Sequence, residues 1–335
     1  MKNLKLRIYF LGGTKRAVGL YKKILDRNDI EIVFSIFMQG YQEEHIFCES
    51  LIDLASKYNK DFVVSEIITK DIVDKINRDF PDVVICGGIW RNLIPEDFLN
   101  ASKYGCLALH GSGLPKYRGW AGINWYIING EDEYVMRMFR LGNGLDNGPL
   151  ILRSDKTFME YKIPLNNTKH IHEILDDIYD VHNKAYMELF DLLISDNIFF
   201  IDQNEDDATY TCSRTADDGE IDWKNSTKNI FNFIRAQSKP YAGAYTFFNG
   251  DKVVLWKVLP RYDYVNYIGR IPGKVVTRSK ERNSVVVLTG DGGIEIFDAV
   301  VVETGEVNVL KIFNSVKKRC QSEIEAFISK YKVVK

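Results

Sequence analysis

The stretch LRIYFLGGTKRAVGLYKKILDRNDIEIVFSIF, residues 6–37, decides the fold. An apolar run, Leu6–Leu11, ends in Gly12-Gly13, a helical texture follows over Lys15–Arg27, and a second β-rich run occupies Ile30–Phe37. The alternation continues through a helical Gln42–Tyr58, a strand at Phe62–Val64, a helical Thr69–Arg78 and a strand at Val83–Cys86. Val- and Ile-rich strands that alternate with helices imply a parallel sheet covered on both faces, a doubly wound, Rossmann-like α/β domain. Gly12-Gly13 stands where such sheets place a phosphate-binding turn. The segment GGTKRAVG lacks GxGxxG spacing, however, and a tight strand-to-helix turn needs glycine on its own account, so the structural reading is preferred.

Working outward, Cys106–His110 reads as a further strand, and His170–Ile194 as a long amphipathic helix with Ile171, Ile174, Leu175, Ile178 and Val181 at helical spacing. Ser226 is a plausible N-cap for a helix over Ser226–Ala236. After Phe247 the texture changes to short β runs, Val253–Val258, Lys274–Thr277, Ser284–Leu288 and Ile294–Ala299, separated by glycine-rich turns. Short strands at near-regular spacing predict a small β-barrel. A chain of 335 residues also favours two domains. The expected organisation is an α/β domain over 1–210, a helical connection over 211–244 and a barrel over 245–335.

The bulk composition is that of a globular protein, with 45% hydrophobic and 27% charged residues. No apolar run is long enough to cross a bilayer, and the N-terminus runs straight into a strand without a cleavage-site pattern, so a cytoplasmic protein with no membrane partner is expected. Cys48, Cys86, Cys106, Cys212 and Cys320 form no CxxC pair and no metal-ligand spacing, which predicts reduced thiols and no metal. The net charge is -2, but residues 211–335 hold 20 Lys+Arg against 14 Asp+Glu, so this part is mildly basic and the first part acidic.

The chemistry concentrates in LALHGSGLPKYRGWAGINWYIINGE (107–131) and LGNGLDNGPLI (141–151). His110 emerges at the C-terminal end of a β run, where open α/β sheets put their ligands. Asp146 lies between Gly144 and Gly148 in a loop, and loops carry a disproportionate share of functional side chains. An Asp near a His can raise the imidazole pKa and fix its tautomer, giving a general base for an attacking amine. A lone His is more often structural and a lone loop Asp is usually just solvated; the two motifs together favour catalysis. Arg118 reads equally as a contact to a substrate phosphate or as a brace for its loop.

These residues carry a resemblance. HGSGLPKYRGWAGINW…INGE with a downstream GLDNGP resembles the signature of the folate-dependent formyltransferases, which act on methionyl-tRNA, on glycinamide ribonucleotide and on nucleotide-linked aminosugars. Within the family it is similar to the sugar N-formyltransferases, such as those acting on UDP-4-amino-4-deoxy-L-arabinose. Asp82–Leu99 is similar to the family's folate-contacting strand and loop, Thr215–Phe248 to its interdomain passage, and the β-rich remainder to its C-terminal, OB-like barrel. The resemblance implies a formyl donor, N10-formyltetrahydrofolate, held by main-chain groups at Gly88, Ile89 and Trp90 and in the loop Gly142, Asn143, Gly144, Leu145 and Asp146. It implies catalysis by His110 and Asp146, and it makes Ser112, Lys116, Arg118 and Asn124 candidate substrate contacts. Small-molecule partners, a homodimeric assembly and a role in lipopolysaccharide or surface-glycan synthesis follow from the same likeness.

One position departs. The family carries an Asn two residues before the His, helping to hold and polarise the formyl carbonyl, and here that position is Ala108. Losing one such donor costs on the order of 10²–10³ in rate. Three readings stay open: a substitute donor (Asn124, Asn143 or a protonated His110), a chain altered to trap substrates, or a catalytically silent binder. Gly113 and Gly122 also stand where the family has Leu and Pro, which favours a reshaped pocket and the substitute-donor reading.

The tRNA-modifying members carry a basic loop after the second strand. The corresponding stretch, Phe37–Ser50, contains acids and no Lys or Arg, a poor surface for a polyanion. Lys311 and Lys317-Lys318-Arg319 argue the other way, although charge runs on a terminal helix are usually a solvated face. A UDP- or dTDP-linked aminosugar is therefore the expected acceptor, with methionyl-tRNA the enzymatic alternative.

Overall fold

The computed structural model describes residues 5–39, 45–165 and 168–331. The chain divides into two compact units, Met1–Gly119 with Val135–Ile163 and Asp176–Thr211, and Trp120–Tyr134 with Pro164–Leu175 and Cys212–Lys335.

The first part of the chain runs β1 (Leu6–Gly12), α1 (Lys15–Leu25), β2 (Ile30–Phe37), α2 (His45–Lys57), β3 (Phe62–Val64), α3 (Lys70–Asp79), β4 (Val83–Cys86), α4 (Glu96–Leu99) and β5 (Cys106–His110). It continues through β6 (Arg118–Gly119), α5 (Gly122–Asn129), β7 (Glu133–Arg140), β8 (Leu150–Leu152), β9 (Glu160–Pro164), α6 (Ile171–Ile194), β10 (Phe199–Ile201) and β11 (Tyr210–Thr211). Nine of these strands form one sheet, ordered β10-β8-β7-β5-β4-β1-β2-β3, with β9 against β7. The strands β3, β2, β1, β4 and β5 are parallel, and β7, β8 and β10 extend the sheet antiparallel. The doubly wound architecture expected from the alternation is present, and its switch point falls between β1 and β4.

Burial on both faces explains the near-continuous apolar strands. On one face Ile8 and Phe10 pack with Leu20, Tyr21 and Ile24 of α1 and with Tyr186, Leu189 and Phe190 of α6. On the other, Tyr9 and Leu11 pack with Ile72 and Ile76 of α3 and with Phe98. Ala17, Leu20, Tyr21 and Ile24 are the buried stripe of α1, at i, i+3, i+4 and i+7. Burying a side chain such as Leu20 stabilises by roughly 1.5–3 kcal/mol. Gly13 is required by close approach, because a Cβ there would stand 2.0 Å from the Met38 carbonyl oxygen. The expected helix over Gln42–Tyr58 is α2; residues 42–44 of that expectation lie outside the described residues.

In the second unit, α7 (Thr227–Gln237) is followed by β12 (Ala244–Phe248), β13 (Asp251–Arg261), β14 (Val275–Ser279), β15 (Ser284–Leu288) and β16 (Gly293–Val301), then α8 (Val309–Ile312) and α9 (Glu323–Tyr331). Ser226 caps α7, its Oγ accepting from the Asn229 amide. The five strands form an antiparallel sheet, β12-β13-β16-β15-β14. Its two edges are tied by one segment, through the bridges Phe247↔Gln321 and Lys274↔Arg319, which closes the sheet toward a barrel around Leu255, Val258, Val287 and Ile296.

Candidate functional site

The site grows from the C-terminal ends of β4 and β5. Cys86 and Ala108 are register partners there, and just beyond them a tyrosine from α6 stands between the strands. The Leu109 amide donates to Tyr186 Oη at 3.0 Å, and the Tyr186 hydroxyl donates to the Cys86 carbonyl. The phenol thus satisfies backbone groups that the ladder leaves at its open end.

His110 closes β5, and the loop after β7 brings Asp146 to it. His110 Nε2 lies 3.6 Å from Asp146 Oδ2 and 3.5 Å from the Tyr117 carbonyl. Burial pushes the imidazole below its ordinary value, Asp146 and the Tyr117 carbonyl pull it back up, and the charge of Arg16 pushes it down. Asp146 was expected to raise this pKa, and it does pull in that direction. Desolvation outweighs it, however, and the net shift is downward. The result is an imidazole that is neutral near physiological pH and free to accept a proton.

Asp146 is itself held firmly. It adopts a left-handed φ of 50°, its Oδ2 accepts from the Gly119 amide at 2.8 Å, and its carbonyl accepts from Gln203 Nε2 at 2.7 Å. The same Gln203 nitrogen donates to the Gly148 carbonyl at 2.7 Å. Gln203 is oriented in turn by Arg118, whose Nε and Nη2 reach its Oε1 at 3.2 and 2.9 Å.

Arg118 is 1% exposed and also engages Glu205 at 2.7 Å and the Tyr210 hydroxyl at 3.2 Å. Of the two readings left open for it, the geometry is that of the brace. Gln203, Glu205 and Tyr210 carry no local sequence signal, since they meet the loop only through the fold.

The remaining candidates divide. Ser112 is buried and donates to the Lys116 carbonyl at 2.8 Å, whereas the Lys116 side chain is exposed. Asn143 is exposed in the loop, and the Gly144 amide donates to Asn147 Oδ1 at 3.1 Å. Asn124 belongs to the second unit, where its Nδ2 donates to the Ala236 carbonyl at 2.7 Å and its side lines a cleft of about 160 Å³ with Arg214 and Gln237. Ala108, 7% exposed, packs with Cys86 and Phe139 and offers no side-chain donor.

Gly88, Ile89 and Trp90 follow β4. A Cβ on Gly88 would stand 2.5 Å from Thr14 Oγ1, so its main chain lies directly against the start of α1. Among the described residues, the buried Thr14 Oγ1 and Trp90 Nε1 have no hydrogen-bond partner. Unspent polar atoms beside an accessible main chain fit a ligand that presents donors and acceptors along one edge, as a pterin does.

The two parts of the chain match known families. Residues 38–187 match the family model for formyl transferase, and residues 214–317 that for the formyl transferase C-terminal domain. A methionyl-tRNA formyltransferase from Caldanaerobacter subterraneus subsp. tengcongensis is 27% identical over 297 residues, covering 88% of this chain and 91% of the relative. Among solved structures, WlaRD, a sugar 3N-formyl transferase crystallised with dTDP and 5-N-formyl-THF, is 18% identical with a TM-score of 0.61, covering 88% of this chain and 97% of that one. HypX from Aquifex aeolicus is 16% identical with a TM-score of 0.58, covering 93% of this chain but 49% of HypX. Together the two family matches take in more than half of the chain, which belongs to the folate-dependent formyltransferases and is a formyl-transfer enzyme.

Proposed function

We propose that this enzyme transfers the formyl group of N10-formyltetrahydrofolate to the amine of a nucleotide-linked aminosugar, with UDP or dTDP as the nucleotide. The His110–Asp146 pair carries the chemical part of this reading. A neutral, mostly buried imidazole takes the proton that an amine must lose as it attacks, and Asp146, 3.6 Å away, favours the imidazolium that results. The folate supplies an activated formyl group when bound. Main-chain groups at Gly88–Trp90 and in the loop Gly142–Asp146 hold it, with the unspent Trp90 indole N–H and Thr14 hydroxyl beside them.

The choice of acceptor rests on charge. Phe37–Ser50, the stretch that leaves β2, has acids and no Lys or Arg to meet a phosphate backbone. The basic residues near the C-terminus are partly spent: Arg319 pairs with Glu325 at 2.7 Å and Lys311 with Glu306 at 3.6 Å. Methionyl-tRNA is the second reading, favoured by the 27% identical relative.

The deciding experiment offers the enzyme and N10-formyltetrahydrofolate a panel of UDP- and dTDP-aminosugars in parallel with charged initiator tRNA at moderate salt. Formylation of a sugar amine, with a melting-temperature shift from the same nucleotide sugar, is the expected result. Efficient formylation of the tRNA with no response to any aminosugar nucleotide reverses the assignment.

A further inference from the structure

Acyl transfer builds negative charge on the carbonyl oxygen, and an enzyme lowers that barrier with a hydrogen-bond donor aimed at it. The donors around His110 are mostly committed. Arg118 is engaged by Gln203, Glu205 and Tyr210. Arg137 is engaged by Glu160 and the Leu114 carbonyl. His110 faces Asp146 and the Tyr117 carbonyl as the proton acceptor, and Ala108 has nothing to give.

Arg16 is different. It occupies the first turn of α1, directly after β1, at the switch point beside β4 where open α/β sheets bind their ligands. It is half-buried, and among the described residues its guanidinium has no hydrogen-bond or ion-pair partner; the first turn of α1 contains no acid. Its charge nevertheless acts on His110 of β5, Cys86 of β4, and Tyr186 and His182 of α6: burial lowers both imidazoles and raises the thiol and the phenol, and Arg16 adds a smaller downward pull on all four. These groups surround the open ends of β4 and β5. Next to Arg16, the Thr14 hydroxyl is also unspent at 7% exposure, at the positive end of the helix. A buried hydroxyl without a partner is costly unless a ligand completes it, and the half-buried Arg16 guanidinium beside it is uncommitted and open to a ligand.

We propose that Arg16 is the donor that stabilises the formyl oxygen during transfer, standing in the place of a side-chain amide on β5. The bond from the formyl carbon to the acceptor amine forms before its bond to the folate nitrogen breaks. Negative charge gathers on the oxygen against the Arg16 guanidinium and returns as the leaving nitrogen departs. The amine proton passes through His110 to that nitrogen, and nothing is oxidised or reduced. The inference rests on the formyl-transfer reading but not on which amine is the acceptor.

The test compares wild type with Arg16→Ala and Arg16→Lys, using whichever acceptor class the wild-type enzyme formylates. For Arg16→Ala the expected kcat falls roughly 10²–10³-fold, with little change in the KM for the folate. Guanidinium chloride at low millimolar concentration restores part of the rate, and Arg16→Lys retains an intermediate one. A second readout needs no ligand: the His110 pKa, followed by NMR in the free protein, rises in Arg16→Ala because a nearby positive charge is gone. A kcat within about threefold of wild type, or a His110 pKa that does not move, overturns the inference. Transfer to charged tRNA but not to aminosugars refutes the proposed acceptor and leaves the Arg16 comparison to be run on tRNA. No transfer to either class refutes both.

Discussion

Gln203 Nε2 donates to the main-chain carbonyl of Asp146 at 2.7 Å, tying the carboxylate that faces His110 to the edge of the large sheet. Behind it stands Arg118, fully buried, which orients the Gln203 amide and prevents it from flipping. Asp146 needs this support because its φ of 50° is a conformation that a non-glycine residue seldom adopts unaided. Gln203→Leu should therefore lower kcat by about tenfold or more, since a small misplacement of a catalytic group is expensive, with a modest loss of melting temperature. Arg118→Met leaves Gln203 Oε1 without its donors and should cost about 1–3 kcal/mol of stability, measured by urea unfolding. An unchanged kcat in both variants would show that the loop does not depend on this support.

The pH dependence follows from His110. Its pKa is depressed by burial, so the acid limb of kcat/KM should fall below the ordinary histidine value. Asp146 raises that pKa, so Asp146→Asn should move the limb to still lower pH while reducing the rate. Arg16→Ala should move it the other way. His110→Asn should cost roughly 10²–10⁴ in kcat with folate binding retained. Limbs that coincide in the Asp146 and Arg16 variants would contradict these charge assignments.

Ala108→Asn tests the departure on β5 directly. If Arg16 already serves the formyl oxygen, the added amide should change the wild-type rate little. It should restore activity by about tenfold or more when placed in the Arg16→Ala background. Because Ala108 packs against Cys86 and Phe139, the melting temperature of each variant has to be recorded beside its rate. A large gain in the wild-type background would mean that the position simply lacks its donor.

His182 predicts acid sensitivity of the fold. Burial lowers its pKa from 6.5 to about 3, and its Nδ1 has no partner among the described residues. The unfolded chain binds a proton near 6.5 that the native state refuses until about 3, so stability is full above 6.5 and is lost as the pH falls between these values. His170 and His110 are shifted in the same direction. His182→Phe, which keeps a ring against Tyr186, should flatten the fall in unfolding free energy between pH 7 and 4 without abolishing it. An identical slope in wild type and variant would rule out this histidine as a contributor.

The sequence by itself determined what is locally encoded. The parallel core from β1 to β5 was legible because each strand is buried on both faces and each helix carries its own apolar stripe, as Val83–Cys86 and Ala17–Ile24 show. The two glycine-rich loops that carry His110 and Asp146 were legible as short, dense signatures in the chain, and the fold sets the two side chains 3.6 Å apart. The antiparallel strands β7, β8 and β10 were not legible. They lie in a stretch dominated by loop residues, and β8 and β10 are three residues each, too short for a period to declare itself. Only the tertiary structure shows Arg118 buried and bonded to Gln203 and Glu205, because these partners lie 85 and 87 residues away. The same holds for Arg16. Its sequence context reads as an ordinary helix start, and what sets it apart is a lack of partners among the described residues together with an electrostatic reach to His110. Both are properties of the space at the ends of β4 and β5, and that space exists only once the chain has folded.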